Sequence, residues 1–137
     1  VTVFATAIDA IHDAVQAFAL EQDVPCAYPN ARFTAPRTAA GRDLPWMRLA
    51  MPAGEIAPEM LFQPARPVMR GFFTLSFFAP FDSGAETARD LLDAALTTFA
   101  AGASIGTAAV VTRHSQQAVA AAPDWWQINL TVFFRAQ

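Results

Sequence analysis

Between Val68 and Ala79 the chain sets large rings on both sides of a single strand, and few folds can accommodate that. Met69, Phe73, Leu75 and Phe77 fall on one face, while Arg70, Phe72, Thr74, Ser76 and Phe78 fall on the other, because successive strand side chains point to opposite sides. The C-terminal stretch repeats the pattern. Trp126, Ile128, Leu130, Val132 and Phe134 alternate with Gln127, Asn129, Thr131 and Arg135, which predicts a second long strand. A sheet built on these two strands has one apolar face to bury under helices and a second face that also carries rings.

Two helices are available to cover the first face. Phe4, Ile8, Ile11, Val15 and Phe18 form one helical stripe, with Thr2 or Thr6 as N-cap and Pro25 as the stop, which predicts a helix over about 4–22. Ser83-Gly84-Ala85-Glu86 is a capping box, followed by the stripe Ala88, Leu91, Leu92, Ala95, Leu96 and Phe99 and by Gly102 as C-terminal cap. That predicts a second helix over about 84–101.

The remaining segments are less regular. Residues 24–44, with three prolines and a glycine, predict a short extended piece around Ala27 to Phe33 and then a loop. Trp46 to Met51 predicts a strand. Residues 54–67, with Pro58, Pro64 and Pro67, read as irregular yet carry Ile56, Met60, Leu61 and Phe62. Gly106 to Arg113 predicts a strand and Ala118 to Pro123 a loop. The expected fold is one α+β domain over 1–137, in the order α-β-β-β-α-β-β. Its mostly antiparallel sheet has about 4–5 strands and two helices packed on one face.

Composition favours an exposed apolar surface. Of the 137 residues, 54% are hydrophobic and 15% charged, and the chain has twelve phenylalanines and three tryptophans. A soluble domain usually carries about 25% charged residues. The second sheet face, with Phe72, Phe78, Trp125 and Phe133, is then closed in one of two ways. Either loops 34–45 and 54–67 fold over it, or a neighbouring subunit does.

The chemistry of catalysis is thinly represented. His12 reads as a boundary residue of the first helix. His114 and Ser115 are adjacent on a strand, so they point to opposite faces and cannot pair as base and nucleophile. Cys26, the single cysteine, has no basic neighbour in sequence to lower its pKa and reads as a small buried hydrophobe. No metal-ligand spacing is present, and Gly102 to Gly106 follows a helix where phosphate loops precede one. Asp90 and Asp93 share the solvent side of the second helix. We therefore expect no catalytic residues, no metal and no cofactor.

A net charge of -3 with nine scattered arginines and no lysine disfavours a tight grip on nucleic acid. The acidic residues Asp9 and Asp13 near the start argue against a signal peptide, and no run reaches the length of a membrane span, so a soluble cytoplasmic protein is expected.

Three segments in order carry a family resemblance: Ala27-Tyr28-Pro29-Asn30-Ala31-Arg32-Phe33-Thr34-Ala35-Pro36, Pro45-Trp46-Met47-Arg48-Leu49-Ala50-Met51-Pro52, and Arg70-Gly71-Phe72-Phe73-Thr74-Leu75-Ser76-Phe77-Phe78-Ala79-Pro80. With the capped helix and the aromatic last strand, this order resembles the tail terminator proteins of long-tailed bacteriophages and gene transfer particles, the lambda type among them. The resemblance implies a hexameric ring on the head-proximal end of the tail tube. Such a ring ends tube polymerisation and meets the head-completion protein, and DNA passes through its hole without specific binding. It also implies a virion protein of the tail or neck, assembled in the bacterial host cytoplasm, with no enzymatic activity and no cofactor. Other neck and tail-completion proteins share parts of this outline. On this reading the candidates for subunit or tube contacts are Met60, Phe62, Arg66 and Arg70 around the 54–67 segment, and Phe72, Phe78, Trp125 and Phe133 on the second face. A reading from another class makes that face the wall of a small-molecule pocket.

Overall fold

The computed structural model describes residues 3–29, 31–36, 44–51, 55–59, 66–80, 86–106, 109–119 and 125–136. The elements are α1 (Val3–Glu21), β1 (Cys26–Ala27), β2 (Trp46–Ala50), β3 (Glu55–Glu59), β4 (Arg66–Pro80), α2 (Glu86–Thr98), β5 (Ser104–Ile105), β6 (Ala109–Val119) and β7 (Trp125–Ala136). The strands form one seven-stranded sheet in the order β1-β2-β4-β7-β6-β5, and β3 also pairs with β4. The α+β class holds, but the sheet is larger than the 4–5 strands expected. It is also mixed, because β1 runs parallel to β2 while the remaining pairs are antiparallel.

The long β4 organises the molecule. One edge carries β7 from Met69 to Pro80; the other carries β2 at Thr74–Phe78 and β3 at Arg66–Arg70, end to end. The β3 strand overturns the expectation of an irregular segment over 54–67. Pro58 lies opposite Pro67, and since neither has an N–H to donate, this must be a pair without mutual hydrogen bonds. Proline is tolerated there because β3 is an edge.

The helix-covered face is the expected one. Met69, Phe73, Leu75 and Phe77 of β4 and Leu130, Val132 and Phe134 of β7 are buried beneath Ile11, Val15 and Phe18 of α1 and Leu91, Leu92 and Ala95 of α2. Phe99, just past α2, ties the layers together, with ring centroids 5.9 Å from Phe18 and 5.6 Å from Phe73. Each ring so buried stabilises by roughly 1.5–3 kcal/mol. Ile8 and Leu96 are half-buried at the margins of the same core.

The helix ends differ from expectation in detail. Thr6 lies inside α1 and is not its cap; Thr2 and the capping-box residues Ser83 to Ala85 lie outside the described residues. The end of α1 is set at Asp23, two residues before Pro25. Asp23 has φ 54°, its N–H donates to Leu20 O at 3.2 Å, and the Val24 N–H donates to Ala19 O at 3.0 Å. That pair of bonds is a Schellman turn, with aspartate in the left-handed position usually held by glycine. Past α2, Gly102 (φ 87°) serves the following turn rather than the helix end, and its N–H donates to Val111 O at 2.7 Å.

The last hairpin also departs from the pattern. β6 runs to Val119, so Ala118 belongs to the strand and not to a loop. Its register against β7 shifts by one residue between Val111 and Arg113. Thr112 is the extra residue of this bulge, and its Oγ1 donates to Phe133 O at 3.2 Å. The bulge moves Arg113 to the face opposite Val111.

Candidate assembly surface

The second face of the sheet reads as a succession of cross-strand pairs. Along β4 and β7, Arg70 stands opposite Arg135, Phe72 opposite Phe133, Thr74 opposite Thr131, Ser76 opposite Asn129, Phe78 opposite Gln127 and Pro80 opposite Trp125. Two aromatic groups are thus separated by a polar band. Within the band the hydroxyls of Thr74 and Thr131 lie 3.4 Å apart, and Gln127 Nε2 donates to Asn129 Oδ1 at 2.9 Å.

The aromatic group at the Pro80 end is closed by the chain itself. Trp46 stacks on Phe78, meets Trp125 edge-on at 5.9 Å and is covered from the other side by Phe33 at 5.0 Å. The guanidinium of Arg48 lies 5.3 Å from the Phe78 ring centre, and Phe78 retains only 7% exposure. The rings fill one another's space, which removes Phe78 and Trp125 as walls of an open small-molecule pocket. The segment carrying Phe33 therefore does here what covering loops were expected to do.

The group at the other end is open. Phe72 is 38% exposed and packs on Phe133 at 5.6 Å. Arg113, delivered by the bulge, lays its guanidinium 3.9 Å from the Phe133 ring centre. Arg70 is exposed and Arg135 half-buried beside this pair. The result is a cationic, aromatic patch.

Of the proposed contact residues, the fold brings Arg70, Phe72 and Phe133 together, and puts Phe78 and Trp125 in the closed cluster. Arg66 begins β4 opposite Glu59. Met60 and Phe62 lie outside the described residues. Sequence reading missed Trp46, Phe33, Arg48 and Arg113. Trp46 was legible, because it alternates with the inward Met47 and Leu49; Arg113 was hidden by the one-residue bulge.

The groups with latent chemistry are quiet. Burial pushes the Cys26 thiol up to about 11, so it stays protonated at neutral pH. His12 packs its ring on Tyr28 at 4.7 Å, and burial pushes the Tyr28 phenol up to about 12. His114 pairs across from Val132 and Ser115 from Thr131, on opposite faces. Among the described residues no group of three or more His, Cys, Asp and Glu is placed to hold a metal ion.

A family model described as phage tail terminator protein matches residues 6–134, nearly the whole chain. The chain belongs to the phage tail terminator family. Membership gives this terminator chain a structural role in a phage tail, in association with other tail components. No curated protein matches it. Among solved structures, one overlays with a TM-score of 0.66 at 21% identity, covering 94% of each chain, so the two share a fold. Among the described residues no helix is long and apolar enough to cross a membrane.

Proposed function

We propose that the chain forms a ring, hexameric as in the family it resembles. The ring would seat on the head-proximal end of a phage or phage-like tail tube, end its polymerisation and join it to the head-completion protein. DNA would pass through the hole without specific binding. Family membership supports the tail role, and the open Phe72–Phe133 patch with Arg113 supports a protein contact on that face.

Charge placement favours a head-to-tail arrangement. Asp9, Asp13, Glu21, Glu86, Asp90 and Asp93 are exposed on the helix layer, where Arg89 is the only arginine among the described residues of α1 and α2. Arg48, Arg70, Arg113 and Arg135 lie on the sheet, whose described acidic residues are Glu55 and Glu59 of β3. Opposite charges on opposite layers attract when copies follow one another round a ring and repel when like faces meet. Short, purified tail tubes incubated with this chain provide the test. Tubes that stop growing and carry a ring at one end are expected; tubes that lengthen as before would refute capping.

A further inference from the structure

We propose that the outermost line of α1, formed by Asp9, Asp13, Gln16 and Leu20, seats on the open Phe72–Phe133–Arg113 patch of a second copy of this chain. The inference rests on the ring reading and names the junction between neighbouring subunits.

The patch calls for a partner that is both apolar and acidic. Phe72 at 38% and Val110 at 44% are two of the four exposed large hydrophobics among the described residues. Val110, Arg135 and Arg70 form one cross-strand row, and Arg113, Phe133 and Phe72 form the next. No residue of β4, β6 or β7 is acidic. The Arg113 guanidinium lies over the Phe133 ring, and a carboxylate from outside can accept from its N–H donors.

The first helix offers that chemistry. It contains no lysine or arginine. Its buried side is Ile11, Val15 and Phe18, and Asp9, Asp13, Gln16 and Leu20, at i, i+4, i+7 and i+11, lie on the opposite line, all exposed. Leu20, at 75%, is the most exposed large hydrophobic among the described residues. The line therefore runs from acidic to apolar. The exposed residues of α2 do not match: Glu86, Arg89, Asp90, Asp93, Thr97 and Thr98 include no apolar group and one arginine, which the cations of the patch repel.

The spacings agree. Phe72, Phe133 and Arg113 stand on β4, β7 and β6, two strand spacings of about 4.8 Å each, or roughly 10 Å in all. Leu20 and Asp13 are seven residues apart on the helix, about 10 Å at ~1.5 Å per residue. A helix laid across the strands with Leu20 on Phe72 brings Gln16 over Phe133 and Asp13 to Arg113. One contact then covers an exposed leucine and an exposed phenylalanine and gives the arginine a carboxylate. The helices and this sheet face lie on opposite sides of the molecule. The contact is therefore heterologous, the kind that closes a ring when the rotation permits.

A charge exchange tests the pairing. Asp13→Arg and Arg113→Glu each set like charges against each other at the junction, and both positions are exposed in the fold. Circular dichroism and thermal melts check that both variants remain folded. By sedimentation velocity, each alone should need about tenfold or more higher concentration to assemble. The double variant should regain rings. A one-to-one mixture of the single variants should do so too, because alternating copies then join unlike charges at every contact. Asp90→Arg, the same change on α2, should leave assembly unaltered.

Folded single variants that assemble as the wild type does, or that neither the double variant nor the mixture rescues, would overturn the pairing and leave the ring reading standing. An Asp90→Arg chain that fails as Asp13→Arg does would overturn it as well. So would Arg113→Glu rings that form normally yet no longer cap tubes, since the patch would then belong to the tube protein. A wild-type chain that is monomeric alone and with tubes would remove both.

Discussion

Trp46 and Phe78 lie face to face across β2 and β4, with their rings parallel to within 8° and their centroids 4.0 Å apart. This stack, capped by Phe33, closes one end of the second sheet face. Among the described residues the buried Trp46 Nε1–H has no hydrogen-bond partner, so the ring's bulk matters more than its polar atom. Trp46→Ala should destabilise by about 3 kcal/mol, in the range for large-to-small aromatic truncation. Trp46→Phe should stay within about 1 kcal/mol of the native chain. Urea unfolding midpoints measure both, and equal losses for the two variants would contradict this reading.

Phe72 at the open end has the reverse profile. Phe72→Ser loses a half-exposed ring and its contact with Phe133, which should cost the fold about 1 kcal/mol. On the proposed arrangement Phe72 packs on a neighbour, so assembly should suffer far more. Melting temperature and light scattering on the same samples separate the two effects. A variant that melts much lower while assembling normally would show that Phe72 serves the monomer alone.

Much of this division was legible in the alternating strands. The period-two runs at 68–79 and 126–135 fixed which rings face the helices and which do not, because pleating leaves no other option. What stayed hidden has local causes. Pro58 and Pro67 made β3 look irregular, although a proline pair without mutual hydrogen bonds suits an edge strand. The polar run Arg113 to Gln117 concealed the second half of β6, which is exposed and so shows no apolar alternation. Thr112 shifted the register by one, and no residue preference announces such a bulge. That Phe33 would cover Trp46 depends on a loop path that spacing does not encode.

Asp23 offers a stabilising change. Its φ of 54° strains a residue with a Cβ, and glycine removes that cost. Asp23→Gly should raise stability by about 0.5–1 kcal/mol, provided the Schellman bonds persist. Thermal denaturation is the check, and a lower melting temperature would mean that the aspartate side chain itself holds the turn.

Alkaline pH should weaken the fold before it titrates Cys26 in place. Burial raises the folded thiol from 9.0 to about 11, so the stabilisation tied to the neutral thiol is complete below pH 9 and is lost as pH rises through 11. Tyr28, raised from 10.0 to about 12, acts in the same direction slightly higher. At pH 8 iodoacetamide should label Cys26 far more slowly in the native chain than in urea. Equal rates would show that the thiol is not shielded.

The most direct test of the central claim is the mass of the purified chain in solution, read by light scattering with negative-stain imaging of the same sample. A closed ring of uniform size, retained at the ends of tail tubes, is the expected result. A chain that remains monomeric at high concentration and leaves tube ends bare would contradict the account.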